Sequence, residues 1–215
     1  MIIVRDKCID RGLINLINDT IFDCKFPWYM PTSGFTTVST DYDKSLIHDN
    51  DRVFDSPQVI HDLFIAGEVR SPLFHLFKLV VDTSLINTLG QKASDQILVF
   101  RMKINLLTRH FVSRELYNPP HRDPLFVEKP DHHTFSMILY LNPSDGPTRF
   151  FDGKRNPSII KEVAPKQGRV VLFDQKYFHA SSPPVDTTAR IVLNVNMASP
   201  VPLMELYKYN EEEET

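Results

Sequence analysis

The segment Tyr117-Asn118-Pro119-Pro120-His121-Arg122-Asp123-Pro124 holds the one His-x-Asp of the chain. Residues two apart on an extended segment project to the same side, so His121 and Asp123 can reach a single ion. The flanking prolines disfavour helix and favour extended or turn backbone. One imidazole nitrogen and one carboxylate oxygen, joined by a distant second histidine, make the 2-His-1-carboxylate set that holds non-haem iron(II) and leaves positions open. Taken alone, a His-x-Asp is more often a surface turn than a ligand pair.

Whatever places these side chains must be built mostly after Ser94, where short β-type runs are separated by Pro, Gly and Asp. The pattern predicts strands near Ile97–Thr108, Thr134–Leu141, Thr148–Phe151, Ile159–Val163, Arg169–Phe173 and Arg190–Met197. Many short strands with turns between them imply a sandwich or barrel. Along the last strand, Arg190, Asn194 and Asn196 share one face with Val192, and Ile191, Leu193, Val195 and Met197 make the other. A polar face opposite an apolar one suits a cavity lining, and an ordinary half-exposed strand would show the same alternation. Upstream, Arg101, Lys103 and Asn105 alternate with Met102 and Ile104.

The first part reads as helices and long loops. Apolar spacing predicts a helix over Ile9–Phe22 and another from Ser71, a cap, through Pro72 to Leu89, ended by Gly90. Phe26-Pro27-Trp28-Tyr29-Met30-Pro31 is too rich in proline for regular helix. Residues 33–56 are polar and aperiodic and read as loop, and the acidic run Glu211 to Glu214 reads as a solvated, disordered tail. The expected organisation is one domain over 1–215: helical and loop support over 1–95, a β core over 96–200, and an acidic tail over 205–215.

Composition excludes several classes. With 42% hydrophobic and 24% charged residues, the chain has the mix of a globular domain. A formal net charge of −3 gives no basic excess for nucleic acid, so no such partner is expected. No apolar run approaches the ~20 residues that span a bilayer. The longest candidate, Leu73 to Leu89, is broken by His75, Lys78 and Asp82, and the N-terminus turns to charge at Arg5-Asp6. A soluble cytoplasmic protein without membrane contact is expected, its two cysteines, Cys8 and Cys24, reduced. Composition leaves the oligomeric state open.

From about Phe100 to Met197 the chain resembles the 2-oxoglutarate/iron(II) oxygenase superfamily, in its prolyl 4-hydroxylase-like branch of phage and bacterial type. The resemblance rests on His121-Arg122-Asp123, Met137-Ile138-Leu139-Tyr140-Leu141-Asn142 and Gly146-Pro147-Thr148-Arg149-Phe150-Phe151. It continues through Pro165-Lys166-Gln167-Gly168-Arg169-Val170-Val171-Leu172-Phe173-Asp174, His179, and Arg190-Ile191-Val192-Leu193-Asn194-Val195, all in the family's order. It implies a mainly β fold with N-terminal helices, a double-stranded β-helix (a cupin-like jelly roll). It also implies Fe(II) on His121, Asp123 and His179, with 2-oxoglutarate and O2 as co-substrates. Arg190 would grip the far carboxylate of 2-oxoglutarate through its planar fork. Tyr140 would bond the same carboxylate, and Asn105 is a further candidate for cofactor contact. Arg190 stands where collagen-type members commonly have lysine.

The implied activity is hydroxylation of a C–H bond in an amino-acid, peptidyl (prolyl among them) or small-molecule substrate. Asp123 argues against halogenation, since halogenases on this fold lack that carboxylate. His132 and His133 are read as non-ligands, and His48, His61, His75 and His110 fit no ligand spacing. The rival reading is a non-catalytic cupin-like binding or structural module, whose mark would be a missing triad member or cofactor arginine.

Overall fold

The computed structural model describes residues 1–30, 52–123, 132–153 and 158–213, the last four as backbone only. In chain order the elements are β1 (Ile2–Arg5), α1 (Arg11–Ile21), β2 (Gln58–Ile65), β3 (Glu68–Val69), α2 (Phe74–Leu89), α3 (Gln91–Ser94) and β4 (Leu98–Thr108). There follow β5 (His133–Tyr140), β6 (Thr148–Phe151), β7 (Ile159–Val163), β8 (Val170–Asp174), β9 (Phe178–Ser181), β10 (Ala189–Ser199) and α4 (Leu203–Glu213). A seven-stranded antiparallel sheet runs β1-β8-β5-β10-β4-β2-β3, and a three-stranded sheet runs β7-β6-β9.

The alternation along β10 sorts the molecule into layers. Its Ile191, Leu193, Val195 and Met197 join Met102 and Ile104 of β4 and Phe135, Met137 and Leu139 of β5 in the main core. That core is closed by residues of the helices: Ile17 and Ile21 of α1, Phe77, Val80, Val81, Leu85 and Leu89 of α2, and Leu203 and Leu206 of α4. The other face of the large sheet turns to the small one. There Ile138, Tyr140, Val171, Phe173 and Val192 pack with Phe150 of β6 and Val163 of β7. The Phe150 and Phe173 rings meet edge-on at 4.9 Å.

Local signals explain the helices. The Asp10 carboxylate accepts from Leu13 N at 2.9 Å and caps α1. Ser71 Oγ accepts from Leu73 N at 3.1 Å ahead of α2. Gly90, at φ 85°, stops α2 in a backbone region closed to side chains at low cost.

The six strands expected after Ser94 all form, within a residue or two of their bounds. The helix-and-loop reading of the first 95 residues is corrected: this region also supplies β1, β2 and β3. β1 is four residues long and is made a strand by β8, with Ile2 opposite Phe173. β2 lacks clean alternation because a register shift between Asp62 and Phe64 inverts its parity. The disordered-tail reading is corrected too, for α4 runs to Glu213. Leu203 and Leu206 lie one turn apart on its buried side, and Tyr207 OH accepts from Arg5 Nη2 at 2.9 Å. Most of the 33–56 loop reading, residues 33–51, lies outside the described residues. Both cysteines are free thiols, Cys8 buried and Cys24 exposed. Among the described residues no helix is long and apolar enough to cross a membrane.

Candidate metal and co-substrate site

The His-x-Asp segment is pinned before it reaches the site. Asn118 bonds by its N–H to Ser181 O at 2.8 Å and by Nδ2 to Ser181 Oγ at 2.9 Å, while its Oδ1 accepts from both N and Oγ of Ser56. Three residues on, His121 and His179 exchange two backbone bonds, at 3.0 and 2.9 Å. The segment therefore runs beside β9 as a short extra strand. Its alternation sends Arg122 outward, where the guanidinium lies 4.2 Å over the Phe178 ring. His121 and Asp123 turn inward to meet His179.

One ligand atom from each of His121, Asp123 and His179 lies within 4.8 Å of the others, and among the described residues this is the only such group. Asp123 and His179 are buried and His121 is half-buried. His121 Nδ1 lies 3.0 Å from Pro119 O, so it must carry the proton and leave Nε2 with a free lone pair. His179 Nε2 stands 4.0 Å from Asp123 Oδ1. Burial pulls the pKa of His179 down to about 4 against the opposing charge of Asp123, so its imidazole is neutral at pH 7. Burial pushes the Asp123 carboxyl up. His179, His121, the Ser136 bond and Arg101 outweigh it and hold Asp123 below the ordinary carboxylate range. A neutral imidazole at His179 and an ionised carboxylate at Asp123 are the donor states that a divalent ion needs.

Ser136, Gln175 and Asn196 were not singled out from sequence, and they orient Asp123. Ser136 Oγ donates to Asp123 Oδ2 at 2.6 Å and accepts from Gln175 Nε2 at 3.3 Å and Asn196 Nδ2 at 3.0 Å. A hydroxyl has one proton and two lone pairs. With both lone pairs taken, its proton must go to Asp123, which leaves Oδ1 facing His179. The polar side of β10 carried a hint in Asn196; Ser136 and Gln175 carried none, because nothing local marks them.

Deeper between the sheets, Arg190 is buried at 2% exposure. Its Nε donates to Gly146 O at 2.8 Å and its Nη2 to Thr148 Oγ1 at 2.7 Å. Tyr140 OH shares Thr148 Oγ1 at 2.7 Å, and the guanidinium lies 5.5 Å from the Tyr140 ring centroid. Burial lowers the Arg190 pKa from its high ordinary value. Among the described residues no carboxylate lies within ion-pair distance of it, and an uncompensated buried charge is costly. A dicarboxylic acid with one end on Arg190 would supply the missing anion. Asn105 sits opposite Val192, which in turn faces Tyr140, so all three share the inner face. Its Oδ1 is buried without a partner. Gly146 is forced by close approach: a Cβ there would stand 2.4 Å from Ser182 O.

The remaining histidines behave otherwise. His61 is a satisfied core residue, its ring nitrogens 2.8 Å from Pro27 O and 2.7 Å from Ser71 Oγ. His132 and His133 lie at the start of β5 and belong to no group of potential metal ligands among the described residues.

Residues 108–198 match the profile of the 2OG-Fe(II) oxygenase superfamily, a stretch that contains the triad, Tyr140 and Arg190. Among solved structures, the chain is similar to an oxidoreductase of the 2OG-Fe(II) oxygenase family from Burkholderia pseudomallei. Identity is 14% with a TM-score of 0.59, over 93% of this chain and 85% of that one. It is similar to a prolyl-4-hydroxylase from Pseudomonas putida, at 14% identity and TM-score 0.54, over 92% and 91%. A prolyl hydroxylase from Trichoplax adhaerens, solved with a peptide of hypoxia inducible factor, gives 13% and 0.53, over 97% and 86%. At these identities the structures establish the shared double-stranded β-helix fold. A search of the curated proteins finds no relative at significant sequence similarity.

Proposed function

We propose that the chain, whose residues 108–198 match the 2OG-Fe(II) oxygenase superfamily, is a dioxygenase of that kind and that His121, Asp123 and His179 hold its iron(II). Arg190 and Tyr140 hold the far carboxylate of 2-oxoglutarate, with Asn105 on the same wall. The reaction is hydroxylation of a C–H bond in an amino-acid, peptidyl or small-molecule substrate. The peptide bound to the Trichoplax enzyme keeps the peptidyl class in view.

The observation that carries this reading is the pairing of two incomplete sites, one from each sheet. Three donor side chains converge with their lone pairs free, and a buried guanidinium beside them lacks an anion.

Bound iron with 2-oxoglutarate and O2 supplies the oxidising chemistry, 2-oxoglutarate leaving as succinate and CO2. The chain's own residues do the positioning. Pro119 O fixes the His121 tautomer, Ser136 orients Asp123, and Phe150 and Phe173 wall the His179 ring, at 6.1 and 4.8 Å between centroids. That wall keeps water from one side of the centre. Arg190 fixes the co-substrate at its far end and so sets which end reaches the metal. The cupin-like module is disfavoured because no triad member and no cofactor arginine is missing.

The test is a time course of succinate by mass spectrometry, with Asp123→Ala alongside and a screen of amino acids, peptides and metabolites. The expected result is slow iron- and O2-dependent succinate formation in wild type, absent in Asp123→Ala and raised sharply by one substrate. Equal rates in both proteins, with no compound raising the wild type, would return the chain to the binding-module reading.

A further inference from the structure

Asp62 on β2 and Lys103 on β4 are register partners, so their side chains rise from the same face of the large sheet. The next residue in that row is Asn194 of β10, then Ile138 of β5. This face carries Arg190 and turns toward the triad, which β9 and the segment beside it supply from across the gap and which Ser136 of β5 reaches at Asp123. Lys103 is close enough to Asp123 to feel its charge, and burial pulls its pKa down to about 8, leaving it mostly protonated at neutral pH.

Opposite charges on paired positions of adjacent strands ordinarily join. Here they do not. Neither side chain makes an ion pair or hydrogen bond among the described residues, and Asp62 Oδ1 is buried without a partner. Asp62 acts on Lys103 only through its field, from beyond ion-pair range. Beside Asp62 opens a cavity of about 370 Å³, lined by Tyr29, Ile60, Ile65 and Pro72 among others. Arg70 also borders it, but its guanidinium is taken by Glu68 at 2.5 Å. The cavity is of the size that holds small ligands, and its Tyr29 comes from the aromatic Phe26–Tyr29 segment.

We infer that the Asp62–Lys103 couple reads the charged head of a zwitterion, so that the substrate is a free α-amino acid rather than a residue within a peptide. The inference rests on the oxygenase reading above. An α-ammonium and an α-carboxylate are held by one carbon, and strands lie ~4.8 Å apart. The head bridges the two rows, ammonium to Asp62 and carboxylate to Lys103. The side chain then runs along the row toward Asn194 and the triad. A peptidyl residue carries neither charge and would leave both Asp62 and Lys103 unmatched in a partly dry site. An amine or an acid alone would satisfy one of the two.

The experiment uses protein loaded with Mn(II) and 2-oxoglutarate. It is titrated calorimetrically with the free L-amino acids, in pools and then singly, and with the N-acetyl amide of each binder. Binding of a free amino acid, with its blocked amide weaker by roughly 10- to 100-fold, is expected. Asp62→Asn and Lys103→Met, which keep shape and remove charge, should each lose a similar factor. Circular dichroism checks that the variants fold, and the free-against-blocked comparison in wild type stands without them. Failure to load metal and 2-oxoglutarate would remove the oxygenase reading, and this inference with it. Normal loading overturns the inference alone if no free amino acid binds, if blocked and free forms bind alike, or if both folded variants bind as wild type.

Discussion

Asp123 is held by one hydroxyl that has no spare valence, and this makes Ser136 the most informative single residue beside the proposed metal site. Ser136→Ala strips partners from Asp123 Oδ2, Gln175 Nε2 and Asn196 Nδ2 together. Metal affinity should fall by about 10- to 100-fold, the usual effect of losing a group that orients a ligand. Affinity for 2-oxoglutarate, measured on metal-saturated protein, should change little. Arg190→Met should give the opposite pattern, with metal binding nearly intact. Loss of a buried charge-assisted partner costs ~3–5 kcal/mol, a hundredfold or more in 2-oxoglutarate affinity. Anaerobic titrations of Mn(II) and 2-oxoglutarate on both variants check the crossed pattern. Parallel losses in both proteins would mean that the two subsites are not separable.

Among the elements, the turn from β5 into β6 carries more than its length suggests. Gly146 lends its carbonyl to Arg190 and lets Ser182 of the β9–β10 connection approach its α-carbon. Asp145, one residue earlier, gathers the N–H groups of Val185, Asp186 and Thr187 at 3.0 Å each. Arg190 thus enters β10 from a loop clamped to the same turn. In Gly146→Ala the new methyl meets backbone, which cannot swing aside, and overpacking of this kind typically costs ~1–3 kcal/mol. Urea unfolding should show that loss. The 2-oxoglutarate affinity of the folded variant should drop further than its metal affinity, because Gly146 bonds Arg190 directly and reaches the triad only indirectly, through Ser182 and the neighbouring Ser181 that pins Asn118. A variant as stable as wild type would mean that the two backbones part readily.

At the scale of the whole molecule, β1 is tied across the fold by Asp6. Its carboxylate takes Arg169 Nε at 2.6 Å and Lys166 Nζ at 2.7 Å. These bonds, Arg169 first, hold the Asp6 pKa well below the ordinary carboxylate range. The native state therefore binds fewer protons at Asp6 than the unfolded chain does. Its contribution is complete above the unfolded pKa, about 4, and is lost as pH falls toward the folded value. The side chain is 35% exposed, so solvent screens the pair and the contribution is modest. Asp6→Asn should lower stability near neutral pH by a small amount and flatten the decline below pH 4. Thermal unfolding of both proteins between pH 3 and pH 7 measures it, and parallel curves would assign the acid sensitivity elsewhere.

What the chain alone determined follows from short-range rules. Alternation laid down both faces of β10, so Arg190 and Asn194 could be placed together and opposite Leu193 before any partner strand was known. His121 and Asp123 were joined by two-residue spacing between prolines. His179 was different, since a histidine beside Tyr177 and Phe178 has no local mark of a ligand, and only the order of surrounding motifs pointed to it. Tertiary structure decided what depends on distant partners. β1 is a strand because β8 lies beside it, β2 because β4 tolerates its bulge, and α4 a helix because Leu203 and Leu206 find the core. The Ser136 clamp and the unjoined Asp62–Lys103 pair belong here as well. A serine's proton goes where its neighbours leave room, and a charge is unmatched only relative to what stands within a few ångströms. Neither relation exists along the chain until the sheets have closed.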